Sequence, residues 1–175
     1  MSEELSINPP SRKEVFQILF KFGIGIALGD LLCEQLQGWF PSFASALDLL
    51  SVIIIVFGLT LGINKYKAFF DRFNYGKALS FCLRIGMVVG IVKMFFVFIQ
   101  LTFINDSILV ILKEDVKQAI VNAEGVPREK INEILNSGLI EMIISPFVVA
   151  VIFWINTFFQ YLFIGLFISI FHRKR

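Results

Sequence analysis

Apolar positions fall in four long blocks with polar interruptions between them, and this pattern predicts four membrane-spanning helices. A helix needs roughly 20 predominantly apolar residues to cross the hydrocarbon core of a bilayer. The blocks cover about 15–37, 43–64, 78–104 and 143–171. The run Ser51-Val52-Ile53-Ile54-Ile55-Val56-Phe57 makes the second block the plainest of the four, and the fourth contains no charged residue. The chain is therefore expected to be an all-α membrane protein, one membrane domain over residues 1–175.

The interruptions differ in kind. Residues 38–42 hold Trp39, Phe40 and Pro41, which suits an aromatic turn at the membrane interface. Residues 64–77 are short and basic. Residues 105–141 are long and polar, and read as a pair of amphipathic helices. In the first, Ile108, Ile111, Leu112, Val116, Ala119, Ile120 and Ala123 recur at helical spacing. Gly125-Val126-Pro127 breaks it, with Pro127 placed to start the second, where Ile131, Ile134, Leu135, Gly138 and Leu139 form one face. Both pieces are too short and polar to span. A helix pair lying at the membrane surface, or capping the bundle, fits them.

Charge then fixes the expected orientation. Arg12 and Lys13 precede the first block, Lys65, Lys67, Arg72 and Lys77 follow the second, and Arg173, Lys174 and Arg175 end the chain. The first connection has no basic residue, and residues 106–141 carry four basic against seven acidic ones. The positive-inside rule puts both termini in the cytoplasm and the amphipathic pair outside it. The expected location is a bacterial inner membrane, crossed several times. Composition agrees: 57% of the residues are hydrophobic and 17% charged, with 21 Phe, against about 45–50% and 25% in soluble domains. The net charge of +2 is too small to argue for nucleic acid. A polar start and a long first apolar block argue against a cleaved signal peptide.

Candidate chemistry is sparse. Cys33 and Cys82 read as structural thiols at different depths, and His172 has no company from which to build a metal site. No cofactor is implied. Intramembrane charges are the sharper signal, because an ionisable residue in a membrane helix is costly and faces a partner or water. The candidates are Asp30, Glu34, Arg84 and Lys93. Sliding the first block by 63 residues sets Lys21 on Arg84, Gly23 on Gly86, Ala27 on Gly90 and Asp30 on Lys93. That suggests two hairpins in a parallel repeat, with Asp30 and Lys93 paired across the bundle and Glu34 sharing the interaction. Lys21 and Arg84 are expected to snorkel to lipid phosphates. Three G-x-x-x-G spacings, Gly25/Gly29, Gly58/Gly62 and Gly86/Gly90, let helix backbones approach. They point to a tight intrachain bundle or, alternatively, to a homo-oligomer. Asn156 and Gln160, four apart, offer a polar face on the last block, as interhelical glue or as the lining of a pathway.

The chain resembles the small four-helix membrane proteins of Bacteroidetes-type bacteria classed as domain of unknown function 4199. The resemblance rests on the glycine-rich first block, the basic stretch after the second, the run Phe73-Asn74-Tyr75-Gly76-Lys77-Ala78-Leu79, and the charged segment before the last block. In physical terms that run reads as a turn, with Gly76 permitting the bend and Lys77 anchoring to phosphates. The resemblance implies a membrane location and supplies no activity. Its members are often encoded beside membrane glycosyltransferases, which implies a place near lipid-linked sugar chemistry. Paired carboxylates on facing helices, a Ser-His arrangement and a phosphate loop are all missing, so an enzyme is not expected. The residues favour an accessory or scaffold subunit with membrane lipids and a membrane protein as partners. The alternative is a small transporter or flippase-like protein using Asp30 and Lys93.

Overall fold

The computed structural model describes residues 11–70, 72–104, 107–122 and 127–172. Four of its helical segments, Arg12–Trp39, Pro41–Lys67, Tyr75–Ile104 and Pro146–Phe171, are long and apolar enough to cross a membrane. The chain is an all-α membrane protein with four transmembrane helices. It divides into two compact units, one of Met1–Val92 with Ile155–Arg175 and one of Lys93–Trp154.

The larger unit begins with α1, Arg12–Trp39. Ser11 starts it with a reciprocal cap: its Oγ accepts from the Glu14 N–H at 3.2 Å, and the Glu14 carboxylate accepts from the Ser11 N–H at 2.8 Å. Two of the helix's open N–H groups are thereby satisfied. A single tight turn at Pro41–Phe43 reverses the chain into α2, Ala44–Lys67. The two helices run antiparallel in one register. Asp30 meets Ser51, Gly29 meets Ile54, and Ile26 meets Gly58. Helix α3, Tyr75–Ile99, contributes its residues up to Val92, and α7, Pro146–Phe171, its residues from Ile155. Gly86 lies against Tyr161 and Gly165 against Cys82, so α3 and α7 are antiparallel neighbours. Gly23 lies against Val88. One core joins these four helices, from Ile26 and Ala27 through Ile55, Leu59, Ile63, Phe81, Ile85 and Val89 to Tyr161.

The turn between α2 and α3 corrects the reading of its sequence run. Gly76 does not make the bend. It lies inside the first turn of α3, and Gly138 is the one described glycine with positive φ. The chain turns because Asn74 caps α3, its Oδ1 accepting from the Lys77 N–H at 2.9 Å. Phe73 anchors the turn, fully buried beside Tyr66, whose ring also stacks on Phe81 at 4.7 Å. The Lys77 Nζ sits 4.6 Å above the Phe70 ring.

The smaller unit holds the end of α3, a π-type turn at Gln100–Ile104, and α4 (Ser107–Val121), α5 (Arg128–Asn136), α6 (Leu139–Ile143) and the start of α7. Val97, Leu101, Leu109, Ile140, Ile144 and Ala150 form its core. The expected amphipathic pair is in fact three helices. Gly138 takes the left-handed conformation at φ 72°, which ends α5 and makes Leu139 the start of α6 rather than part of the α5 face. Ile131 is the buried residue of α5. On α4, Leu109 is buried, whereas Ile108, Ile111, Leu112 and Val116 are exposed; Ala123 lies outside the described residues. Lys117 Nζ and Glu141 Oε1, 3.3 Å apart, tie α4 to α6. The Glu141 carboxyl is held below its usual range, first by its backbone N–H and then by Lys117.

Candidate functional site

In the larger unit, Asp30 sits on the buried stripe of α1 with Gly23, Ile26 and Ala27, three or four residues apart as helix geometry requires. It is 3% exposed. Facing it, α2 presents Ser51 at the head of a buried stripe that continues through Ile55, Leu59 and Ile63 at every fourth position. The Ser51 hydroxyl donates to Asp30 Oδ1. In hydrocarbon no water is at hand to replace such a donor, so the bond fixes the register of the hairpin.

Helix α7 adds Tyr161 and, one turn before it, Thr157, both buried. The Tyr161 hydroxyl lies within electrostatic reach of Asp30 and finds no hydrogen-bond partner among the described residues. A buried hydroxyl left unpaired costs about 1–3 kcal/mol, and that makes this polar layer the place where a function is to be sought. It contains a carboxyl group and three hydroxyls, those of Ser51 on α2 and of Thr157 and Tyr161 on α7, groups able to hold a proton or order a hydrogen-bonded ligand.

The other sequence candidates fall in several places. Glu34 is half-buried one turn beyond Asp30 and has an interaction partner, as Asp30 does. Lys93 is 4% exposed; it opens the smaller unit and is also partnered. Arg84 and Lys21 are exposed. Among the glycines, a Cβ on Gly29 would fall 2.9 Å from Ile54, one on Gly62 3.0 Å from Phe81, and one on Gly86 2.6 Å from Tyr161; Gly58 abuts Ile26. Gly90 is buried. Gly25 faces open space, and Gly23 makes the close approach instead, with Val88 at 2.6 Å. Two residues on a helix are about 200° apart, so only one of Gly23 and Gly25 can face inward. Asn156 is exposed and Gln160 half-buried. Cys33 and Cys82 are both buried and free.

Sequence reasoning passed over Ser51, Thr157 and Tyr161. Ser51 carried a signal: it heads the four-residue spacing of Ile55, Leu59 and Ile63 on the face opposite Asp30. Thr157 and Tyr161 carried almost none, since α7 is apolar nearly all round.

A family model described as "Protein of unknown function (DUF4199)" matches residues 15–174. No curated protein and no solved structure matches the chain.

Proposed function

The chain belongs to the DUF4199 family, and from that premise we propose that it is a non-enzymatic accessory subunit of a membrane complex. The observation that carries this reading is the outward position of Asn156. It stands exposed near the middle of α7, on one stripe with the exposed Phe159, Phe163 and Phe167. An amide in contact with lipid loses its hydrogen bonds, whereas one buried against a second membrane helix regains them. The phenylalanines flanking it supply a broad apolar surface for that helix. The close glycine contacts of the larger unit suit a rigid support. The basic bias of the flanks argues for a bacterial inner membrane with both termini inside the cytoplasm. The company implied by the family resemblance, lipid-linked sugar chemistry, says which membrane partners to test first.

Gentle detergent extraction followed by affinity purification tests this. A stoichiometric membrane partner is expected, and Asn156→Leu should reduce its recovery about fivefold or more, as losing one interhelical hydrogen bond of ~1 kcal/mol implies. Asn156→Gln should retain it. A chain that purifies alone, or a partner indifferent to Asn156→Leu, overturns the proposal.

The second reading, a small transporter built on the buried charges, is favoured by the buried Tyr161 hydroxyl, which has no hydrogen-bond partner among the described residues, in the same unit as Asp30. The two readings differ in whether water reaches position 30. Asp30→Cys, made in a background with Cys33 and Cys82 replaced, is expected to resist a membrane-impermeant thiol reagent if the polar layer is structural. Rapid labelling would move transport to the front.

A further inference from the structure

A second site lies at the N-terminal end of α1, away from Asp30. Glu14, Gln17, Ile18 and Lys21 recur on one face of that helix. Together with Phe22 they meet Lys65 and Phe69, at and just beyond the end of α2, around a cleft of about 200 Å³. Its position follows from the hairpin register. Ile26 lies against Gly58, and the cleft brings Ile18, about two turns before Ile26, together with Lys65, about two turns after Gly58. The cleft is thus the continuation of the α1–α2 seam to the place where both helices leave the apolar zone.

Side chains lean toward the N-terminus of their own helix. Lys21 therefore leans outward along α1 and Lys65, on the antiparallel α2, leans inward, and both line the same cleft. Glu14 is the one acidic group of the lining, and it is already engaged: it accepts from the Ser11 N–H and hydroxyl, each at 2.8 Å. Two lysines against one carboxylate leave the lining at 2 − 1 = +1. Gln17 adds a neutral donor. Ile18, Phe22 and Phe69 give the floor an apolar character.

We propose that this cleft binds the phosphodiester headgroup of an anionic membrane phospholipid. Charge, depth and shape agree on that ligand. The single excess positive charge matches the single negative charge of a phosphodiester. The cleft opens at the end of two membrane-spanning helices, where lipid phosphates lie. Its volume is below the 300–1,000 Å³ of a drug-sized pocket, which suits a headgroup whose acyl chains run down the outside of the helices. The exposed Arg12 stands on the same helix end, and a basic residue at such a level attracts anionic lipid.

Thermal unfolding of the purified protein in a neutral detergent tests the assignment, with dioleoylphosphatidylglycerol, dioleoylphosphatidylcholine or inorganic phosphate added. Phosphatidylglycerol at about ten times its dissociation constant is expected to raise the unfolding temperature by about 3–5 °C, and the other two additions to leave it unchanged. The double substitution Lys21→Gln with Lys65→Gln should lose that rise. Lys13→Gln with Lys67→Gln removes the same charge outside the cleft and should keep it. Lys21→Arg with Lys65→Arg should also keep it, which separates loss of the site from loss of the fold. An equal rise with phosphatidylcholine, an equal loss in the Lys13/Lys67 control, or a rise retained by the glutamine pair overturns the site. A rise produced by inorganic phosphate makes free phosphate the ligand and overturns the lipid.

Discussion

Gly86→Leu is expected to be the most damaging single substitution in the larger unit, lowering stability by about 3 kcal/mol, the upper end of the usual cost of overpacking. A Cβ at position 86 would lie 2.6 Å from Tyr161 Cβ and 3.0 Å from its Cγ. Neither atom belongs to the movable end of a side chain. Tyr161 Cβ shifts only with the backbone of α7, so relief requires the two helices to separate. Separation would loosen a core in which Tyr161, Ile85 and Val89 are fully buried. Even Gly86→Ala should be destabilising by about 1 kcal/mol, because a helix-propensity gain of about 1 kcal/mol cannot offset a backbone clash of up to ~3 kcal/mol. Gly25→Ala is the matched control. Nothing lies within 4 Å of its Cβ, so the propensity gain stands alone and the change should be neutral or stabilising by up to ~1 kcal/mol. Denaturant or thermal unfolding in detergent, followed by circular dichroism, measures both. Equal effects at positions 25 and 86 would refute the helix register.

That contrast shows what a sequence of this kind discloses and what it hides. The four spans are legible because lipid demands long apolar runs and the chain has four. The expected blocks at about 15–37, 43–64, 78–104 and 143–171 meet helical segments of Arg12–Trp39, Pro41–Lys67, Tyr75–Ile104 and Pro146–Phe171. Asp30 and Lys93 were legible as buried positions for a related reason, since a charge inside a membrane helix has few tolerable places. The facing of each helix was not. G-x-x-x-G spacing assumes a single partner, but α1 has two neighbours in its own unit: Gly29 meets Ile54 of α2, and Gly23 meets Val88 of α3. The spacing therefore selected Gly25, which meets neither. In α7 the difficulty is different. A helix apolar nearly all round gives no amphipathic stripe to mark its inner side. Asn156 and Gln160 drew attention as the polar pair, while the buried polar residues of α7 are Thr157, Tyr161 and Ser169, the first two one position further on. The smaller unit shows the local limit. Gly138 fits the apolar periodicity by spacing, and only its left-handed backbone reveals that it separates two helices.

The second large effect is expected at the Asp30–Ser51 contact, and it is measurable as a coupling rather than a simple loss. Interhelical hydrogen bonds in membranes average about 0.6 kcal/mol and reach about 1.7, because the separated helices also find partners for their polar groups. A carboxyl acceptor on one helix and a hydroxyl donor on the other, both nine-tenths or more buried, belong at the top of that range. Ser51→Ala should cost about 1–2 kcal/mol. Asp30→Leu should cost at least as much, since Asp30 has a further interaction besides Ser51, and the double substitution should cost less than the two added together. The expected coupling energy is about 1–2 kcal/mol. It is specific to this geometry: Ser45, which lies exposed in the first turns of the same helix, should show no coupling to Asp30 when changed to alanine. A coupling near zero at Ser51 would mean that the hydroxyl does not hold the carboxyl group, and the polar layer joining α1, α2 and α7 would lose its central bond. A coupling of the expected size ties Asp30 to α2 through Ser51, and a substitution that only changes packing, such as Leu59→Ile, would not reproduce it. The distinction matters for function because a carboxyl group locked to α2 serves as a structural tie. One released from Ser51 would be free to take another hydrogen-bond donor.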